Sequence, residues 1–175
     1  DFSDNAPPPR REHAAVYDAA RQSVFIFGGI DSGDGANAGL PLGDTWEWDG
    51  SDWNERMPVT SPPARSGHNL AFDPGLGQVL LFGGAGRADT WTWDGTDWTE
   101  LSPANNPGER SGHSMVHDPI RGRIVLFGGF NSVGAALNDT WEWNGSNWVQ
   151  VATVGPSVRG QVSLVFEGTN NSSLL

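Results

Sequence analysis

The chain has 175 residues, enough for one ordinary domain, and 37% of them are hydrophobic, including nine Trp and eight Phe. Its formal net charge of −11, from 21 acidic and 10 basic residues, argues against nucleic acids and anionic membranes as partners. Cys is absent, which excludes disulfides, thiolate metal sites and Cys nucleophiles, and no apolar run approaches the roughly 18 residues of a membrane helix.

The beginning of the chain predicts an irregular lead-in followed by four strands. Residues 1–9 lack periodicity, and residues 10–18 predict a first strand. Residues 23–29 predict a second strand, which is apolar throughout and is therefore expected to be buried on both faces. A loop at 30–43 then leads to a Trp-rich cassette at 44–53, which supplies strands three and four.

The cassette has the pattern of a β-hairpin. Trp46 and Trp48 alternate with other residues, which predicts a strand with both rings on one face. Asp49-Gly50 predicts a tight turn, because these residue types tolerate positive φ at both central positions of a hairpin. Trp53 then opens the return strand. The cassette is therefore a predicted hairpin with a large apolar surface.

The same plan returns along the chain. The first strand, second strand and cassette recur at 65–73, 78–84 and 89–98, and again at 110–118, 123–129 and 139–148. A fourth copy begins at Arg159 and reaches only the start of its second strand at 172–175. Successive copies begin with Arg at spacings of 55, 45 and 49 residues.

Four strands per unit of this length, with paired Gly and late Trp, are typical of propeller blades. The sequence resembles the Kelch-repeat β-propellers over roughly residues 8–175. The resemblance rests on paired Gly after strand two and spaced Trp in strands three and four: Gly28, Gly29, Gly83, Gly84, Gly128, Gly129, Trp46, Trp53, Trp91, Trp98, Trp141 and Trp148. The Tyr usual in that family before the last turn is Trp here, at Trp48, Trp93 and Trp143.

We therefore predict an all-β fold, a segment of a Kelch-type β-propeller built from four-stranded antiparallel blades. After the lead-in at 1–9, three full blades span 10–58, 59–103 and 104–153, and the first half of a fourth spans 154–175. Propellers typically close with about four to eight blades. We expect a further chain segment, or another chain such as a second copy, to complete the ring, and we favour missing sequence over a second chain.

Two repeated sets of residues have a functional and a structural interpretation. The Arg-x-x-His pairs are Arg10 and His13, Arg65 and His68, and Arg110 and His113. They could form a His ring that binds a metal or anion, or each Arg could pair with the Asp that opens strand three, at Asp44, Asp89 and Asp139. The structural interpretation is favoured, because groups present in every repeat set packing. The paired Gly are likewise expected to allow close approach of a neighbouring blade.

The loops between strands two and three differ most among the copies, at 30–43, 85–88 and 130–138. They are the predicted partner-binding positions, with Asp31, Asp34, Asn37, Leu40, Arg87, Phe130, Asn131 and Leu137 as candidates. Asp31 and Asp34 are also a weak Ca²⁺ candidate, but their spacing misses the calcium-loop pattern and favours a solvated loop.

No catalytic motif is visible, so we expect a non-catalytic protein-interaction or scaffold module with no cofactor. The alternative is a carbohydrate-binding or sugar-processing propeller. Kelch propellers also occur in copper radical oxidases, whose members use a Cys cross-linked to a Tyr. This chain has no Cys and only Tyr17, so the resemblance does not carry that activity over. The composition is similar to that of exported bacterial proteins, and an extracellular or cell-surface location is expected.

Overall fold

The computed structural model describes residues 6–36, 38–156, 163–167 and 172–174. All regular structure among them is β-strand, and none of these residues belongs to a helix that could cross a membrane. The strands are β1 (Arg10–Arg11), β2 (Ala14–Asp18), β3 (Ser23–Asp31), β4 (Pro41–Trp48), β5 (Trp53–Arg56), β6 (Asn69–Asp73), β7 (Gln78–Phe82), β8 (Thr90–Trp93), β9 (Trp98–Leu101), β10 (Ser114–Asp118), β11 (Arg123–Phe127), β12 (Thr140–Trp143), β13 (Trp148–Ala152), β14 (Val165–Glu167) and β15 (Ser172–Leu174).

The strands form consecutive antiparallel blades. Strands β2 to β5, β6 to β9 and β10 to β13 each pair in chain order, and β14 pairs with β15 as the start of a fourth blade. The short β1 adds to the first sheet by pairing with the end of β3. The predicted fold class is confirmed: an all-β arc of three full propeller-like blades and the first half of another.

The first strands begin later than predicted. β2, β6 and β10 start four residues after the repeated Arg. A separate segment therefore precedes each of these strands, and it is irregular at Arg65 and Arg110 but begins with the short β1 at Arg10. The third residue of that segment has a left-handed backbone, with φ of 55° at Glu12, 68° at Gly67 and 65° at Gly112, and this ends the extended run. Of the fourth copy, the segment at 157–162, including Arg159, lies outside the described residues.

The second strands and the first long loop also differ from the prediction. β7 and β11 end at Phe82 and Phe127, directly before the paired Gly, which have positive φ. In the first blade β3 instead continues past a register shift at Gly28 and pairs with β4 through Ile30 and Pro41. The predicted 30–43 loop is therefore shortened to residues 32–40.

The cassette hairpins are present, but their turns are not the predicted two-residue type. Trp48 pairs directly with Trp53, which leaves a four-residue loop in which only Gly50 has positive φ. Asp49 Oδ1 instead accepts hydrogen bonds from the backbone N–H groups of Ser51 and Asp52, at 2.8 and 2.9 Å. The Asp or Asn of the turn thus acts as an Asx-turn acceptor, since its side chain replaces a backbone carbonyl.

The apolar second strands are buried on both faces, as predicted. In β7, Val79 and Leu81 pack towards the first blade, whereas Leu80 and Phe82 pack towards the third. A strand in the middle of an arc meets a neighbouring blade on each side, which explains its continuous apolar run.

The rings of one blade pack on the rings of the next. The ring centroids of Phe25 and Phe27 lie 5.6 and 5.1 Å from that of Trp98, and Phe82 lies 5.2 Å from Trp148. These edge-on aromatic contacts bury large areas between blades. The core is therefore a series of interfaces between blades.

The first strands of the blades lie side by side on the inner surface of the arc. β6 contacts both β2 and β10, and β14 continues the row beside β10. A cavity of about 480 Å³ opens along this surface and is lined in part by Tyr17, Phe72 and His117. The loops between second and third strands lie at one end of this row.

Candidate binding face

One end of the blades combines the variable loops with the Arg-x-x-His segments. Gly29 N donates to the carbonyl oxygen of Arg65 over 2.9 Å, and Ala85 N donates to that of Ser66 over 3.0 Å. Phe130 pairs with Ser111 in the same way. We call this surface the upper face, formed by 10–13, 65–68 and 110–113 with the loops at 32–40, 85–88 and 130–138.

The repeated Arg and Asp of the upper face form an ion pair inside each blade. The two terminal nitrogens of each Arg donate hydrogen bonds to the two carboxylate oxygens of its Asp. Each Arg also donates to the carbonyl oxygen of the first Gly of its own unit, at 3.0 Å. The shortest N–O distances are 2.7, 2.7 and 2.9 Å for Arg10 with Asp44, Arg65 with Asp89, and Arg110 with Asp139. The bidentate geometry holds the segment before each first strand against strand three.

A Trp indole completes the environment of each Asp. Trp46 Nε1 donates to Asp44 Oδ2 over 2.6 Å, and Trp91 and Trp141 repeat the contact with their own Asp. Burial alone would raise the pKa of Asp44, but the hydrogen bonds from Arg10 and Trp46 outweigh it and lower the pKa. The carboxylate therefore stays ionised, as a structural ion pair requires.

His68 and His113 lie in separate blade interfaces. His68 Nε2 is 3.1 Å from the carbonyl oxygen of Phe27, and His113 packs edge-on against Phe82. Burial, followed by the nearby Arg65 and Arg110 charges, lowers the pKa of both imidazoles to about 3.

The side chains of His68 and His113 are thus neutral at physiological pH. The third His of the set, His13, is exposed at the start of the arc. Among the described residues no group of three or more His, Asp or Glu side chains is placed to hold a metal ion. The geometry of these His supports packing between blades.

The paired Gly fit tightly between successive upper-face segments. A Cβ on Gly28 would lie 2.7 Å from the carbonyl oxygen of Arg65 in the next blade. A Cβ on Gly84 would lie 2.6 Å from the backbone nitrogen of His68 in its own blade. The missing side chain of the first Gly therefore allows close contact with the backbone of the following blade. The missing side chain of the second Gly allows close contact with the His segment of its own blade.

The acidic candidates of the first loop belong to no group of three or more His, Asp or Glu side chains, among the described residues, that could hold a metal ion. Asp31 Oδ1 accepts the backbone N–H of Gly33 over 2.8 Å, and Asp34 is exposed. Leu40 is 54% exposed, and Asn37 lies outside the described residues. The loop offers an apolar side chain at its end.

The other two loops differ in length and in how they are held. Arg87 is exposed in the short second loop. In the third, Phe130 forms a β-bridge, Leu137 N donates to Gly129 O over 2.7 Å, and Asn131 Oδ1 accepts from two backbone N–H groups, which shapes the loop. Val133 at its tip is 84% exposed, and sequence reasoning missed it.

Sequence reasoning also missed an aromatic position on the inner surface. Tyr17, Phe72, His117 and Phe166 each precede the acidic residue that ends a first strand. Three of them line the inner cavity. The signal was present in the sequence, because an aromatic side chain recurs at this position in all copies.

Comparison with models of known protein families gave no match, and neither did comparison with curated proteins.

Proposed function

We propose that the chain is an arc of a Kelch-type β-propeller that acts as a non-catalytic protein-binding or scaffold module through its upper face. The Kelch assignment is supported by the paired Gly after strand two, whose positive φ and close contacts give a reason for both residues. It is further supported by the Trp residues of strands three and four, which pack between blades.

The observation that carries the binding role is the contrast between repeated and variable residues of the upper face. The repeated Arg and Asp are engaged in internal ion pairs. The variable loops instead expose large apolar side chains, with Leu40 at 54% and Val133 at 84%. Apolar side chains on loops of different length, held by a rigid frame, suit a specific protein partner.

Site-specific photo-cross-linking tests this proposal. A photoreactive residue at Leu40 or Val133 should give discrete protein adducts in a mixture of native extracellular and surface proteins. Val59 and Ile120, which are exposed outside these loops, serve as matched control positions. Adducts of the same proteins at all four positions, or none at Leu40 and Val133, would contradict a binding role for the upper face.

A further inference from the structure

A second cavity lies on the outer rim, beside the hairpin of the third blade. The linker from β9 to the third blade passes the outer hairpin β12–β13, and Asn105 N donates to Asn147 Oδ1 over 2.9 Å. Beside this contact is a cleft of about 480 Å³, within the size range of ligand sites. Its lining includes Asn105, Asn106, Trp141, Trp148, Val149 and Gln150.

Trp141 differs from its equivalents in the other two blades. Trp46 and Trp91 are 5% and 6% exposed, whereas Trp141 is half-buried and lines the cleft. Its indole N–H donates to Asp139 over 2.7 Å, and Arg110 holds Asp139 in turn. The ring is therefore fixed by its polar edge, and its accessible surface is apolar carbon.

The cleft is neutral although the chain carries a net charge of −11. None of its lining side chains is charged. The cross-strand partners of Trp46 and Trp91 are Glu55 and Glu100, whereas the partner of Trp141 is Gln150. An amide thus replaces a carboxylate in the blade whose Trp is accessible.

The side-chain amides of the cleft are available for a ligand. Gln150 and Asn105 make no side-chain hydrogen bond to any described residue, and Asn106 uses only its Oδ1, which accepts from Gly108 N over 2.9 Å. Amides both donate and accept, as hydroxyl groups do, and an indole surface offers a flat apolar platform. The cleft holds no cation for a phosphate or carboxylate.

We propose that this rim cleft binds a neutral saccharide, which stacks on Trp141 and exchanges hydrogen bonds with Gln150 and Asn106. None of the residues that line the cleft belongs to the upper face. Either surface can therefore fail its test without affecting the other.

Binding to a panel of neutral hexose, pentose and N-acetylhexosamine oligosaccharides tests the proposal, followed by calorimetric titration of the best ligand. The panel includes each glycan both free and attached to a carrier protein, which distinguishes a free sugar from a glycoprotein as the source. Trp141→Ala and Gln150→Ala should each weaken binding about tenfold or more, as expected for losing a stacking surface or a hydrogen bond of about 1.4 kcal/mol.

The matched control is Glu100→Ala, at the equivalent position of the second blade, which should leave affinity unchanged. Gln150 is exposed, so its variant should keep the fold, as circular dichroism and thermal melting can verify. The absence of binding across the panel, or binding that survives Gln150→Ala and Asn106→Ala together, would overturn the proposal. So would a cleft that takes peptides and no sugar.

Discussion

Trp98 of the second blade donates its indole N–H to Thr45 Oγ1 of the first blade over 3.1 Å, and both side chains are buried. Trp148 makes the same bond to Thr90 one blade further on. The last Trp of the second and third cassettes is thus hydrogen-bonded to the second residue of the preceding cassette. This bond links the side chains of successive blades.

Replacing Thr90 by Val should destabilise the arc by about 1–3 kcal/mol, because Trp148 Nε1 would be left buried without its acceptor. Urea unfolding followed by Trp fluorescence measures the loss. Thr140→Val is the matched control, since Thr140 holds the same position in the third blade and accepts no indole N–H from any described residue. Equal losses in the two variants would show that the hydroxyl has only a local role.

Arg65→Ala should cost about 3–5 kcal/mol, because it leaves Asp89 partly buried without its bidentate partner. Arg121→Ala removes two ion pairs, to Asp118 and Glu142, but the Arg side chain is 55% exposed, so each pair should cost at most about 1 kcal/mol. Chemical denaturation of both variants gives the comparison. A loss below that of Arg121→Ala would refute the structural role of the repeated Arg.

Gly84→Ala should destabilise more than Gly86→Ala. Both Gly have positive φ, so each substitution carries a left-handed cost of about 1–2 kcal/mol. Only at Gly84 would the new Cβ meet backbone atoms, with His68 N at 2.6 Å, whereas nothing lies within 4 Å at Gly86. Overpacking should add about 1–3 kcal/mol at Gly84, measurable as a lower thermal midpoint. Similar midpoints would contradict the close-approach explanation.

Stability should fall as the pH is lowered from about 6.5. The pKa of His68 and His113 is about 3 in the folded protein and near 6.5 in the unfolded chain. Between these two pH values the unfolded chain binds more protons than the folded protein, so lowering the pH favours unfolding. Each His should contribute a slope of up to about 1.4 kcal/mol per pH unit between its two pKa values. Above pH 6.5 this contribution is constant.

The measurement is the free energy of unfolding between pH 4.5 and 8, above the range in which most carboxylates titrate. The double variant His68→Gln with His113→Gln should be less stable at pH 8 but should lose most of the slope below pH 6.5. A slope that persists in this variant would assign the acid sensitivity to other groups.

Much of the fold was predictable because each repeat carries local signals. Alternating Trp predicted strands β4, β8 and β12, and the apolar run of β7 predicted burial on both faces. The hairpin turns were placed correctly but assigned the wrong type. Asp49 has a side chain that can serve as a turn acceptor, and dipeptide statistics alone do not distinguish that role from positive φ.

The sequence by itself determined the repeat, the order of the strands and which repeated residues pack within and between blades. All three can be read from the pattern inside one repeat unit. Only the tertiary structure decided which Trp lies in a cleft and which loop residues are exposed. Trp46, Trp91 and Trp141 occupy equivalent positions, yet only Trp141 is half-buried and lines a cleft. Exposure depends on the neighbouring blade and its linker, which are distant in the chain, so no local pattern could reveal it.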